Sequence, residues 1–260
     1  MTQPALHLFE LADPGLPRHE SYSPFCLKVN RALKVRQLRF ERHPMPRPDA
    51  HGLTKVGQVP VLVIGEPGSI GAEVVHDSTP ILRRIGELTG RPFEVGDASQ
   101  RAEAALYEEL ADTALNGFLV AARWADERNW PRVKDAYFGT APWPVRALIV
   151  PRVRAKTVGA LRARDVWRDG PEACWKRFSL LIDALSARAP SRGYWLGSEI
   201  TSADLALFGQ LHSLRTELTP WQHQVVDDHA PLRSYLDRVD EATRIGAPQP
   251  RVSDAPMAVA

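Results

Sequence analysis

Over about its first ninety residues the chain alternates between two hydrophobic periods, and beyond residue 100 it keeps only one. Residues 6–11 are apolar, β-compatible and closed by Asp13, Pro14 and Gly15, which reads as a strand running into a turn. Phe25, Val29, Ala32 and Leu33 fall at helical spacing, so 24–36 reads as a helix. Residues 38–41 alternate again, 59–64 form an apolar run near Pro60, and 72–76 read as a fourth strand. Ile81, Leu82, Ile85 and Leu88 then mark a helix that starts at Thr79 and Pro80. The connection before the third strand is long enough to hold one more short helix. The order strand, helix, strand, strand, strand, helix describes a small α/β unit.

After residue 100 the strands vanish. Leu106, Leu110, Ala114, Phe118 and Ala121 give a long helical pattern over 100–128, and Phe178, Leu181, Ile182 and Leu185 give another. Leu232, Tyr235, Leu236 and Val239 give a third. Residues 200–214 are almost wholly apolar, so that helix is expected inside the bundle. The resulting division is 4–90 as an α/β domain, 91–99 as a linker rich in turn residues, 100–243 as an all-α domain and 244–260 as a flexible tail.

Composition removes several alternatives. Thirty-three basic residues nearly balance 31 acidic ones, so net charge gives no reason to expect nucleic acid. Two cysteines, Cys26 and Cys174, exclude a disulfide framework. The eight histidines are scattered without a close pair, so no metal site is expected. No signal-like leader and no long uncharged apolar run is seen, which points to a soluble, cytoplasmic chain without a membrane span.

Three short motifs are candidates for chemistry, and a fourth serves folding. Ser23-Pro24-Phe25-Cys26 stands where a helix begins, and a helix N-terminus stabilises an anion such as a thiolate. The same residues also suit plain capping, with Ser23 as cap and Pro24 at the first helical position. Cys26 points toward the helix interior, where an inert buried thiol is the ordinary outcome. In Gly57-Gln58-Val59-Pro60, a cis Val59–Pro60 bond would turn the Val59 backbone outward to pair with an extended peptide. Asp77 and Ser78 close a strand and open a helix; they suit capping, and equally a grip on the charged end of an amino acid. Thr201 and Asp204 have the spacing of a capping box, with Ile200 and Leu205 at the staple positions, which is a folding role.

These motifs, in this order, resemble the glutathione S-transferase family over roughly 4–90 and 100–243. The stretch from Tyr137 to Arg168 makes the chain similar to the metaxin and failed-axon-connections branch. The resemblance implies a thioredoxin-like N-terminal domain plus an all-α C-terminal helical bundle, with glutathione as cosubstrate. By position, Ser23 would stabilise the glutathione thiolate, with the hydroxyl of Tyr22 and the thiol of Cys26 as alternatives. Val59, before Pro60, would pair with the cysteinyl unit, Asp77 and Ser78 would hold the γ-glutamyl end, and Gln58 would reach the glycyl carboxylate. The implied reaction is attack on a small electrophile by a homodimeric enzyme of the detoxifying kind. Two other outcomes stay open: a metaxin-like protein that kept the fold and lost the chemistry, and a glutathione-dependent thiol–disulfide reductase. Against the reductase, cysteine stands at the second position of the motif where that class needs it at Ser23.

The acceptor side is expected among Tyr107, Phe118 and Trp124, with Trp130, Tyr137, Phe138 and Trp143 either lining an aromatic pocket or packing an irregular segment. Arg146, Arg152, Arg154, Lys156, Arg162 and Arg164 follow without an intervening acid. That run reads as a solvated helix face, an electropositive lid, or a membrane-surface face.

Overall fold

The computed structural model describes residues 3–49, 51–55, 57–164 and 166–246. Four strands form one mixed sheet: β1 (Leu6–Leu11), β2 (Glu41–Met45), β3 (Val61–Ile64) and β4 (Glu73–His76), in the order β2-β1-β3-β4. The helices are α1 (Pro24–Val35), α2 (Ser78–Thr89), α3 (Ala98–Leu110), α4 (Asn116–Val120), α5 (Trp130–Phe138), α6 (Val150–Arg164), α7 (Gly170–Arg188), α8 (Ser202–Leu214), α9 (Pro220–Asp228) and α10 (Ala230–Arg244). Five-residue π-helical segments follow α3 and α4 and precede α6. The fold class is the expected one: a thioredoxin-like α/β half and a helical half. None of the described helices is long and apolar enough to cross a membrane.

The chain divides into two compact units that are not contiguous in sequence. Unit 1 comprises Met1–Glu108, Gly193–Gly209 and Asp237–Ala260; unit 2 comprises Glu109–Arg192 and Gln210–Leu236. In unit 1, β1 pairs with β2 in parallel and with β3 antiparallel, and β3 pairs with β4 antiparallel. Leu6, Leu8, Leu62 and Ile64 bury one sheet face against Val29, Ala32 and Leu33 of α1 and Ile81, Leu82 and Ile85 of α2. The other face carries Phe9, Val61 and Val63, packed by Met45, Leu53, Val59 and Ala72. The described part of the long connection before β3 holds turns and no helix.

Three expectations need correction. The second strand lies at Glu41–Met45, three residues beyond the run read from alternation. Leu38 and Phe40 are buried, which made the pattern, but the Leu38 N–H closes α1 by bonding the Leu33 carbonyl at 3.1 Å, with Gln37 left-handed at φ 55°. Pro44 is admitted because β2 is an edge strand. The 91–99 segment is no loose linker, because Phe93 is wholly buried under the Arg36 guanidinium, 3.9 Å away. Arg36 also donates to the carbonyls of Arg91 and Pro92. Arg244, expected to open the tail, is the last residue of α10; residues 247–260 lie outside the described residues.

Residues 201–214 are all buried, as their apolar character requires. Asp204 completes half of the capping box: its Oδ2 accepts the Thr201 N–H at 2.8 Å, and its Oδ1 accepts the Trp195 N–H at 2.7 Å. The Thr201 hydroxyl donates to the same carboxylate instead of capping a backbone N–H. In α8 the missing side chain of Gly209 admits the Pro24 carbonyl, which would lie 2.8 Å from an added Cβ.

Candidate functional site

Sheet register gathers three of the motifs. Phe9 pairs with Val61 and Val61 with His76, so the end of β1, the start of β3 and the end of β4 share one sheet edge. Neighbouring strands lie about 4.8 Å apart, so these chain ends fall within about 10 Å. Residues 12–23, Val59-Pro60 and Asp77-Ser78 extend from that edge.

The 12–23 loop is folded back onto β1. The Ser21 hydroxyl donates to the Leu11 carbonyl at 2.6 Å and accepts the Ser23 N–H at 3.2 Å. The Tyr22 N–H bonds the Ala12 carbonyl at 3.1 Å. Ser23 is then set as N-cap of α1, its Oγ accepting the Cys26 N–H at 3.3 Å. Pro24 has no N–H, and the Leu27 N–H bonds the Ser23 carbonyl. Among the described residues, the Phe25 N–H is therefore the first-turn donor of α1 left without a partner. Ser23 and Tyr22 are half-buried.

Cys26 is corrected from a ligand-contacting residue to a core residue. It is fully buried and accepts the Leu11 N–H on its sulfur at 3.5 Å. Burial pushes its thiol up to about 12, the neighbouring Glu10 adds to this, and the Ser23, Leu11 and Ser21 hydrogen bonds offset only part. A thiol held protonated this firmly is no redox nucleophile, and Cys174 is buried too.

The Val59–Pro60 bond is cis, and neither backbone group of Val59 has a partner among the described residues. Gln58 is exposed beside it, and Pro60 is buried. Asp77 is the N-cap of α2, exposed, with its Oδ1 accepting the Thr79 N–H at 3.2 Å. Its backbone sits at φ 73°, a conformation L-residues adopt at a cost, and such cost concentrates at functional positions. Ser78 is buried at the first turn of α2, and its hydroxyl has no hydrogen-bond partner among the described residues.

A charged network beneath the site was not read from the sequence. Arg31 is wholly buried and donates to Glu20 at 3.0 Å, the Arg18 carbonyl at 2.8 Å, Asp240 at 2.7 Å and Thr243 at 3.1 Å. It thereby holds the 12–23 loop to α10. Burial works to raise the Glu20 carboxyl, but Arg31 and Lys34 outweigh it and hold it below the usual range. Glu10, fully buried, bonds Arg42 and Asn30; burial outweighs both and pushes its carboxyl up to about 7. Lys28 and Thr79 both donate to Glu108, at 2.7 and 2.6 Å, tying the second turn of α1 and the first turn of α2 to α3. Ser21 had one legible signal, a serine two residues before a cap, which favours a local side-chain turn. The ion network had none, because its partners are far apart in the chain.

In unit 2, Trp130, Tyr137 and Phe138 pack around Trp124 at centroid distances of 5.7–6.2 Å. Trp143 is exposed, Phe118 packs on Phe178, and Tyr107 belongs to unit 1 against Trp195. Trp130, Lys134, Val150, Arg154 and Arg162 line a cavity of about 320 Å³. Arg154 lies 4.5 Å over the Trp130 ring and donates to Glu127 at 2.8 Å.

Two family models match the chain: the glutathione S-transferase N-terminal domain over residues 22–88 and the glutathione S-transferase C-terminal domain over 157–238. Among curated proteins, a Metaxin-2 homolog of Caenorhabditis elegans is 26% identical over 192 residues, 74% of this chain and 80% of that protein. The isoprene-epoxide–glutathione S-transferase of Rhodococcus sp. (strain AD45) is 22% identical over 229 residues, 86% of this chain and 93% of that one. A glutathione transferase family member from Pseudomonas fluorescens pf-5, solved with two glutathione bound, shares the fold at TM-score 0.58 and 14% identity, with 93% of each chain covered.

Proposed function

The chain belongs to the glutathione S-transferase family by both of its domain types, and from that premise we propose that unit 1 binds glutathione and holds its thiol as a thiolate at Ser23. The observation that carries this reading is the set of groups left open along one sheet edge. The Phe25 N–H, the Val59 backbone and the Ser78 hydroxyl lack partners among the described residues, and the Asp77 carboxylate is exposed beside them. A peptide with a γ-glutamyl end, an extended backbone and a thiol matches those donors and acceptors in kind.

The chain's own part in the chemistry is to stabilise negative charge. Ser23 Oγ already accepts the Cys26 N–H, so its proton is the group it has to give. A thiolate is a stronger acceptor for that proton than the neutral Cys26 sulfur, because hydrogen bonds to ionised groups are about twice as strong. The Phe25 N–H and the α1 dipole act on the same charge. Ser21 and Arg31 hold the loop that presents Ser23 and so act as positioning residues. The thiolate's acceptor is a small electrophile, and a cytoplasmic homodimer is the accompanying expectation. The reductase reading loses its thiol with the burial of Cys26.

A second reading is a protein that keeps the peptide site without turnover, and the likeness to the Metaxin-2 homolog is the observation in its favour. Calorimetric titration with reduced glutathione tests the site itself. A dissociation constant below about 1 mM, roughly 4 kcal/mol, supports it, and no binding at several millimolar refutes it. A screen of electrophiles then separates enzyme from binder. In an active enzyme, Ser23→Ala is expected to lower kcat about 10- to 100-fold at neutral pH with little change in glutathione affinity, and to raise the thiol pKa by about 1–2 units. An unchanged thiol pKa would move the role to Tyr22 or to the Phe25 N–H.

A further inference from the structure

The parallel pairing of β1 with β2 sets His7 opposite Glu41 and Phe9 opposite His43. Alternation puts all four side chains on one sheet face, away from the face that α1 and α2 bury. There His7 Nδ1 lies 3.1 Å from His43 Nε2. Glu41 reaches both rings, with Oε2 at 3.6 Å from His7 Nδ1 and Oε1 at 3.6 Å from His43 Nε2. The Phe9 ring stacks on His43 at 4.4 Å with 11° between the planes, which fixes the imidazole's orientation. Both histidines are buried, while Glu41 is partly open to solvent. The far nitrogen of His7, Nε2, has no hydrogen-bond partner, so that ring's polar contacts all lie toward His43 and Glu41.

We propose that His7, His43 and Glu41 form a binding site for one divalent transition-metal ion of the zinc class. Around a tetrahedral ion with bonds of 2.0–2.1 Å, donor atoms lie about 3.3 Å apart. The nitrogens stand 3.1 Å apart and each lies 3.6 Å from a different Glu41 oxygen, with one ligand atom from each residue within 4.8 Å of the others, so a small turn of the carboxylate about its own bonds brings one oxygen to that spacing from both rings without rearrangement of the backbone. Two imidazoles and one carboxylate form a donor set that suits zinc, cobalt or nickel better than calcium or magnesium, which take all-oxygen ligands. A water molecule completes the fourth position from the side where Glu41 opens to solvent. The ion would clip β2 to β1 on the face away from α1 and α2. That edge strand is only five residues long and pairs with a neighbour on one side alone, so a clip there has a structural use. Because the donors come together only in the folded sheet, metal binding and folding are linked.

The test uses the full chain without an affinity tag, stripped with chelator and titrated with Co²⁺, followed by the visible absorption of tetrahedral cobalt and by displacement with Zn²⁺. One saturable equivalent is expected. His43→Gln and Glu41→Gln are each expected to weaken binding about tenfold or more. His223→Gln, whose ring pairs with Asp227 in unit 2, is expected to leave it unchanged. Glu41 is only partly buried, so Glu41→Gln keeps the test open if His43→Gln fails to fold. In wild type, Zn²⁺ is also expected to raise the unfolding midpoint, and in Glu41→Gln to raise it much less. Absence of saturable cobalt binding, or equal affinity in wild type and Glu41→Gln, overturns the assignment.

Discussion

Replacing Arg31 by methionine probes the contact on which the loop before α1 depends. The guanidinium is wholly buried and makes five hydrogen bonds, two of them to carboxylates. Methionine keeps much of the volume and removes the charge. Glu20 retains Lys34, but Asp240, about 1% exposed at its side chain, keeps Arg18 at 3.2 Å as its one remaining cation among the described residues. Breaking a buried ion pair from one side costs about 3–5 kcal/mol, chiefly because a charge is left without compensation. At roughly 2.1 cal/mol/K per residue, that corresponds to about 6–9 °C in Tm for a chain of this length. Urea unfolding followed by circular dichroism, with a thermal scan beside it, measures the change. Arg31→Met combined with Asp240→Leu is expected to recover most of the loss, since no lone carboxylate is then buried. A single variant within about 1 kcal/mol of wild type, or a double variant as unstable as the sum of the two singles, would refute the reasoning.

Two further outcomes follow from buried groups in unit 1. Gly209→Ala places a Cβ 2.8 Å from the Pro24 carbonyl, a backbone atom that cannot swing aside, and is expected to cost about 1–3 kcal/mol in urea unfolding; a loss below about 0.5 kcal/mol would contradict the close approach of α8 to α1. Glu10 has a folded-state value near 7, above the usual 4.5, so the folded chain binds the extra proton and stability falls as pH rises through that window. The stabilisation is complete below about pH 4.5 and lost above about pH 7, on the order of 3 kcal/mol across the interval. Glu10→Gln should flatten the difference between urea midpoints at pH 5 and pH 8, and an undiminished slope would show that another group titrates.

Local signals located most elements because they depend on nearby residues. Ser23-Pro24 marked the start of α1, and Asp77 the start of α2. The second strand was displaced because burial and ladder pairing differ: Leu38 and Phe40 alternate into the core while the hydrogen bonds begin at Glu41. Phe93 was hidden in a segment rich in turn residues, since one core aromatic leaves no period to detect. At the site, Ser23, Val59, Asp77 and Ser78 are legible as capping and turn residues, and helical spacing already turns Cys26 inward; its full burial is what removes it from contact with a ligand.

What the sequence determined by itself is therefore the succession of strands and helices, the capping residues, and the residue types present at the candidate site. Each of these follows from interactions within about four positions along the chain. Tertiary structure alone decided that Arg31 meets Asp240 across 209 positions and that His7 meets His43 across 36. It also decided that the ends of β1, β3 and β4 share an edge. Those contacts depend on strand order, register and helix docking, which bring distant residues together through the burial of a shared core, and no local period encodes which distant partner a side chain will find.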